Sequence, residues 1–329
     1  MARKHATPGR RGPAARPAAP LQADRRPQDP GATEQASIFD LELTAPVQGG
    51  KMLARLDGQV TFVTGGVPGE EVEAFIPVRK RGYLEGEARA VRRRSPDRVA
   101  PPCPYFGENG RQRGSIEQPG DQVEAVCGGC QYQHIGYQRQ IALKGDVVRD
   151  VLRRVGKILE PPVAEPVPSP NTYAYRNKAS WLVTAEGELA YRAARSHTAV
   201  PIRSCDLLEP GVHVILRTVQ RAAHEIGLGG LATGLEARVL PDDAGNEHGT
   251  LLLELAPATS EAEAHALAEA LIEICPLVVG VAGMRGHEAE PISLAGEPHL
   301  QTMFLGELLT VSATSFFQVN LPVATEIAR

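Results

Sequence analysis

The sequence predicts an α+β chain of more than one domain, on three observations. Short alternating segments separated by glycine turns fill residues 38–95. Helix and strand patterns interleave between residues 210 and 305. Four of the five cysteines, Cys103, Cys127, Cys130 and Cys205, are spread so widely that only a folded middle could bring them together. A length of 329 residues, 42% hydrophobic content and a net charge of −4 fit a soluble chain of two or three domains. No apolar run is long enough to span a membrane, so no membrane role is expected. Few cysteines and no signal peptide predict a reducing cytoplasm, where clustered thiols bind metals instead of forming disulfides. The acidic total leaves nucleic acid open, because a local basic stripe sets phosphate affinity.

Residues 1–37 carry Arg3, Lys4, Arg10, Arg11, Arg16, Arg25 and Arg26 among alanine, proline and glycine, with no aromatic. That composition predicts a disordered basic tail, and its prolines spoil the amphipathic helix of a transit peptide. From residue 38 the alternation in Phe39 to Leu43, Gln59 to Val63 and Glu71 to Ile76 predicts strands. Gly49-Gly50, Asp57-Gly58, Gly65-Gly66 and Pro68-Gly69 supply the turns between them. A small OB-like β-barrel over 38–95 is the expectation. Lys80, Arg81 and Tyr83, then Arg92 and Arg93, give it a basic edge with an aromatic, which suits RNA backbone and base stacking. The plainer alternative is a solvated charged rim.

Two thiols in the Cys127-Gly128-Gly129-Cys130 turn can grip one metal or one corner of a cluster. A thioredoxin-like pair would need a strand before the motif, and Gly120 to Glu124 has no strand pattern. Structural zinc uses the same four ligands as an iron–sulfur cluster and stays open on the residues alone. The apolar and glycine neighbours in Cys103-Pro104-Tyr105-Phe106-Gly107 form a dry shell that suits the cluster.

Beyond the turn, Ile141, Val148, Val151, Leu152 and Val155 recur at helical spacing, with Gly156 as the stop. Ala179 to Thr184 and Glu188 to Arg192, joined at Glu186-Gly187, predict a hairpin returning to Cys205. Arg176 and Lys178 open that hairpin, and Arg192 and Arg195 lie on its far side, as an RNA-facing wall or as exposed strand ends. A helix through Ile215, Leu216, Val219 and Ala222 follows, then strands at 237–240, 250–255 and 278–281, and a helix capped by Ser260 with Glu263. Gly227 to Gly230 follows a helix and precedes a strand, so it reads as a helix stop and not a nucleotide loop. Cys275 reads as a buried thiol, and His224, His265 and His287 have no metal spacing.

Residues 38–95 also resemble a TRAM domain, with Gly50 to Gly58 and Val67-Pro68-Gly69-Glu70 at its turns. The chain that follows is similar to the RNA uracil-C5 methyltransferase family. The likeness lies in Cys103 and Cys127 to Cys130, Gln133 to Gln140, Tyr175-Arg176-Asn177-Lys178, Cys205-Asp206-Leu207, and Ser315-Phe316-Phe317-Gln318-Val319-Asn320. The resemblance implies a 4Fe-4S cluster on Cys103, Cys127, Cys130 and Cys205, and contact of Gln318 with S-adenosylmethionine. It implies methylation of uracil C5 in RNA, 23S rRNA first and transfer RNA second, and a monomer is expected. In that chemistry a cysteine thiolate adds to C6 of a flipped uracil, C5 takes the methyl group, and a base removes the C5 proton.

The family keeps its first cysteine closer to the Cys-x-x-Cys turn, so residues 108–126 read as an inserted loop. Lengthening the closed loop by about two doublings costs on the order of 1.2 kcal/mol, against about 10 kcal/mol or more for metal–thiolate sites. Residues 96–305 are then the central cluster-bearing and RNA-facing domain. Residues 306–329 are the beginning of a Rossmann-like methyltransferase domain, cut off before the nucleophile, so this length of chain is expected to bind RNA without methylating it. The alternative is a non-catalytic RNA-binding protein with a Cys₄ zinc site.

Overall fold

The computed structural model describes residues 37–107, 126–194, 196–286 and 290–329, apart from the side chains of Val78 and Arg79. The basic tail, the insertion over 108–125, Arg195 and His287 lie outside the described residues. The architecture is α+β and rich in sheet.

The first sheet has six strands: β1 (Ser37–Glu42), β2 (Ala45–Val47), β3 (Lys51–Leu56), β4 (Gln59–Thr64), β5 (Glu71–Lys80) and β6 (Tyr83–Arg93). They lie in the order β1-β5-β6-β4-β3-β2, and β4 with β6 is the parallel pair. Leu56 pairs with Gln59 across Asp57-Gly58, whose φ values of 49° and 82° are those of a tight two-residue hairpin turn. Leu43, Met52, Ala54, Val63, Val72, Ala74 and Leu84 form its core. The sheet is tied to the next segment by a buried ion pair between Glu70 and Arg98, with Nε–Oε1 at 2.7 Å and Nη2–Oε2 at 2.9 Å. Glu70 also accepts from the amides of Val67 and Ser95, so a carboxylate with no exposure is fully hydrogen-bonded.

Helix α1 (Tyr137–Arg154) packs on this sheet through Leu143, which joins the same core together with Ile135. Here the structure corrects the sequence reading. Val148, Val151 and Val155 are 48%, 37% and 76% exposed, because α1 meets the sheet through its first half and its second half projects outward. Helical spacing locates an apolar stripe but not the length of it that a neighbour covers.

The second sheet has seven strands: β7 (Lys178–Val183), β8 (Leu189–Arg192), β9 (Ala199–Pro201), β10 (Ala232–Pro241), β11 (Glu247–Leu255), β12 (Val278–Met284) and β13 (Ile292–Gly296). Their order is β13-β12-β11-β10-β7-β8-β9, and the parallel pair is β11 with β12. A parallel pair needs a crossover, and α4 (Glu261–Ile274) supplies it. Its N-terminus carries the predicted reciprocal cap between Ser260 and Glu263. Helix α2 (Pro210–Ala222) buries Val212, Ile215, Leu216 and Val219 in the core beneath this sheet. Gly227 takes φ 64° and ends the helical run, as expected of a stop, before the short turn α3 (Leu228–Leu231).

The sequence reading did not anticipate β13, nor the hairpin of β14 (His299–Phe304) and β15 (Glu307–Ser312). That hairpin turns on Leu305 and Gly306, where a domain start was expected. Helix α5 (Leu321–Ala328) opens with the Asn320 side chain accepting from the Val323 amide at 3.2 Å.

Candidate functional site

The segments singled out in the sequence meet at one place, the edge of the second sheet beside α1. The amide of Gly128 donates to the Arg192 carbonyl at 2.9 Å, and Cys127 bridges Ala193, so the Cys-x-x-Cys turn lies along the end of β8. The amide of Cys127 donates to the Tyr105 carbonyl at 3.0 Å, and the Tyr105 hydroxyl accepts from the Arg203 amide at 2.9 Å. One tyrosine two residues after Cys103 thus binds the segments of all four cysteines. On the other side, the amides of Ala174, Tyr175 and Arg176 donate to the carbonyls of Asp206 and Leu207. Asn177 then reaches across to the Gln318 carbonyl through its side-chain amide at 3.1 Å, and to Val319 through its backbone at 3.0 Å.

Three of the four thiols each feel the charge of two others. Cys103 is affected by Cys205 and Cys130, Cys127 by Cys103 and Cys205, and Cys130 by Cys205 and Cys127. Burial is the first cause that raises the pKa of all four, with Cys103 pushed up to about 11. Each sulfur also receives a hydrogen bond. The amides of Tyr105, Gly129 and Leu207 donate to Cys103, Cys127 and Cys205, in each case from two residues on. The Gln133 side chain donates to Cys130 at 3.2 Å, and the Tyr191 hydroxyl gives Cys205 a second donor. Cys275 has local donors too, but it lies buried in the second core and no thiol charge reaches it. Convergence, and not local geometry, therefore sets the four apart.

Among the described residues, no three histidine, cysteine, aspartate or glutamate side chains stand at the spacing of ligands round a single ion. The set is four soft sulfurs, Cys103 buried and the other three partly buried, with Cys127 accepting from the Gly129 amide and Cys130 from the Gln133 side chain.

Gln133 opens the Gln133 to Gln140 stretch of the resemblance, three residues after Cys130, but nothing in the sequence marks its side chain as a partner of the thiols. It is 7% exposed and joins two ligand segments, since its carbonyl oxygen also accepts from the Cys103 amide at 3.4 Å. Gly128 owes its place to close approach. A Cβ there would lie 2.8 Å from both the Cα and N of Ala194, whereas one on Gly129 would meet only the Cys127 sulfur, at 3.5 Å.

The expected RNA-facing residues divide into two groups. Lys80 lies 3.4 Å from Glu85 and over the ring of Tyr83, Arg92 pairs with Glu73, Arg93 lies 2.8 Å from Glu71, and Lys178 lies 2.6 Å from Glu236. Arg81 stands exposed in the β5–β6 turn, and Arg176 faces Cys130 and Cys205 with no carboxylate pair among the described residues. Exposed pairs are worth about 0–1 kcal/mol, so Lys80, Arg92 and Arg93 can exchange a carboxylate for a phosphate, whereas the pair of Lys178 with Glu236 is more enclosed. Gln318 has an exposed side chain on a backbone held by Asn177.

No family model matches the chain. An uncharacterised RNA methyltransferase of Gloeobacter violaceus is 28% identical over 326 residues, 92% of this chain and 66% of that protein. The 23S rRNA (uracil(1939)-C(5))-methyltransferase RlmD of Alcanivorax borkumensis is 31% identical over 254 residues, 74% of this chain and 50% of that protein. The chain therefore spans half to two thirds of the length of these curated relatives. A solved structure, the Pyrococcus abyssi tRNA (uracil-54, C5)-methyltransferase in complex with S-adenosyl-L-homocysteine, aligns with 88% of this chain and 63% of its own. Its TM-score of 0.57 at 16% identity makes it a match of fold.

Proposed function

We propose, taking kinship with proteins named RNA methyltransferases as the premise, that this chain is the RNA-holding part of an S-adenosylmethionine-dependent RNA uracil-C5 methyltransferase with 23S rRNA as its substrate. The observation that carries the proposal is the meeting of the Cys-x-x-Cys turn, Tyr175 to Lys178, Cys205 to Leu207 and Ser315 to Asn320 around one set of thiols. These are the segments on which the resemblance rests.

Cys103, Cys127, Cys130 and Cys205 would hold a 4Fe-4S cluster. The apolar and glycine setting of Cys103 and of the Cys127 to Cys130 turn supports the cluster over zinc. Bound there, the cluster would supply a rigid knot between distant segments. The six strands over 37–93 would be a TRAM domain whose basic edge, with Arg81 and Tyr83 foremost, lies along the RNA backbone. Gln318 would contribute to the S-adenosylmethionine site.

All five cysteines of the sequence precede Gln318, while the resemblance puts the thiolate that attacks uracil C6 after it. These 329 residues are therefore expected to bind RNA without turnover.

The test is filter binding of a 23S rRNA transcript, a transfer RNA and a DNA duplex at several salt concentrations, with tritiated S-adenosylmethionine present. Tight RNA binding, strongest for 23S rRNA and without tritium transfer, is the expected result. Equal affinity for DNA would overturn the substrate, and tritium in the RNA would overturn the inactivity.

A further inference from the structure

A cleft of about 730 Å³ opens between the cysteine turn, the first half of α1, residues 166–176 and the start of α5. Four of the chain's seven tyrosines, Tyr132, Tyr137, Tyr173 and Tyr175, line it, together with the cations Lys144 and Arg176. The remaining lining is mainly amide, hydroxyl and small apolar side chains, and no aspartate or glutamate is among it. That exclusion is informative, since aspartate and glutamate outnumber lysine and arginine in the sequence by 39 to 35. A lining without acids tolerates phosphate, although the charge of Asp206 reaches Tyr173 from outside it, and phenol rings offer flat faces to a base. The volume is in the range that encloses a nucleotide-sized ligand.

The tyrosines are not equivalent. Tyr137 accepts a hydrogen bond from the Ser169 amide at 2.7 Å and holds the wall together. Tyr132 packs against the core of the first sheet. Tyr173 and Tyr175 lie on the segment leading to Arg176 and are half-buried, so part of each ring remains accessible. Lys144 is exposed on α1 and makes no ion pair among the described residues, unlike Arg149 and Arg154 of the same helix, which pair with Asp146 and Asp150. No side chain caps the start of α1 and its first turn holds no acid, so the field at that end also favours a phosphate.

We infer that this cleft takes one or two unpaired nucleotides of the bound RNA, with a base stacked on Tyr173 and the backbone between Lys144 and Arg176. The inference rests on the reading that the chain binds RNA, and it adds where an unpaired stretch goes. It also puts a bound base beside Cys130, which lines the same cleft, so RNA and the proposed cluster would share a wall.

The experiment is fluorescence anisotropy of a short labelled oligouridylate with the full chain and its Tyr173→Ala, Tyr173→Phe and Lys144→Gln variants. Tyr173→Ala should weaken binding about tenfold, the scale of one lost stack. Tyr173→Phe keeps the ring and should stay within about twofold of the parent. Lys144→Gln should flatten the plot of log K against log salt by about 0.7, one phosphate contact on a single strand. A second measurement on the unaltered chain, cross-linking to 4-thiouridine RNA, should give adducts in peptides spanning 129–144 or 166–176. RNA binding that ignores Tyr173→Ala, or adducts only on the first sheet, overturns the cleft and leaves the RNA-binding reading standing. Failure of the unaltered chain to bind any RNA removes that reading, and the cleft with it.

Discussion

Replacing Gly128 by alanine puts a methyl group where backbone already stands. The new Cβ would lie 2.8 Å from the Cα and the N of Ala194 and 3.0 Å from the Arg192 carbonyl oxygen. None of these atoms is the end of a flexible side chain, so the turn must move off β8. The 2.9 Å hydrogen bond from Gly128 to Arg192 and the bridge between Cys127 and Ala193 would be strained or lost. Overpacking of this kind costs about 1–3 kcal/mol. At about 2–4 °C per kcal/mol for a chain of this size class, the midpoint of thermal unfolding should fall by about 2–12 °C. The same shift carries Cys127 and Cys130 away from Cys205, so iron held at the proposed cluster site should fall with it. Gly129→Ala is the control, because its Cβ meets only the Cys127 sulfur, at an ordinary 3.5 Å, and its φ is not positive. Anaerobic melting curves and iron content of both variants decide the matter. If Gly128→Ala melts and holds metal as Gly129→Ala does, the turn is not fixed by its approach to β8.

Gln133→Leu removes the donor to Cys130 and the acceptor of the Cys103 amide. Iron at the proposed cluster site should then be lost to a chelator about 10–100-fold more readily while the fold persists, as measured by iron release against circular dichroism. Glu70→Gln leaves Arg98 buried without its carboxylate and should lower unfolding free energy by about 3–5 kcal/mol in a urea titration. Burial, and after it the nearby Glu247, pushes the Glu209 carboxyl up to about 7, so between its ordinary range near 4.5 and pH 7 the folded chain holds a proton that the unfolded chain has released. Stability should therefore fall as pH rises through that window and level off above it. Glu209→Gln should remove that slope in melts taken from pH 5 to pH 8.

Much of the fold could be read from the sequence wherever one local rule sufficed. Asp57-Gly58 dictates its hairpin, and Ser260 with Glu263 caps α4. The exposed half of α1 could not be read, because the stripe of Val148, Val151 and Val155 is a local pattern and its cover is a tertiary fact. Strands β13 to β15 were missed for a related reason. Their outward residues include Ile292, Met303 and Leu308, at 44%, 45% and 56% exposure, which blurs the inward and outward alternation. At the site the four cysteines were legible because thiols are scarce and their spacing is odd. Gln133 and Tyr105 were not, since their roles arise only when segments far apart in sequence touch.

Iron and acid-labile sulfide per chain, measured on anaerobically purified protein with Cys205→Ser and Cys275→Ser beside it, test the shared thiol site most directly. The account predicts about four of each for the unaltered chain and for Cys275→Ser, and loss of both in Cys205→Ser. Zinc in place of iron, or full iron and sulfide in Cys205→Ser, would contradict it.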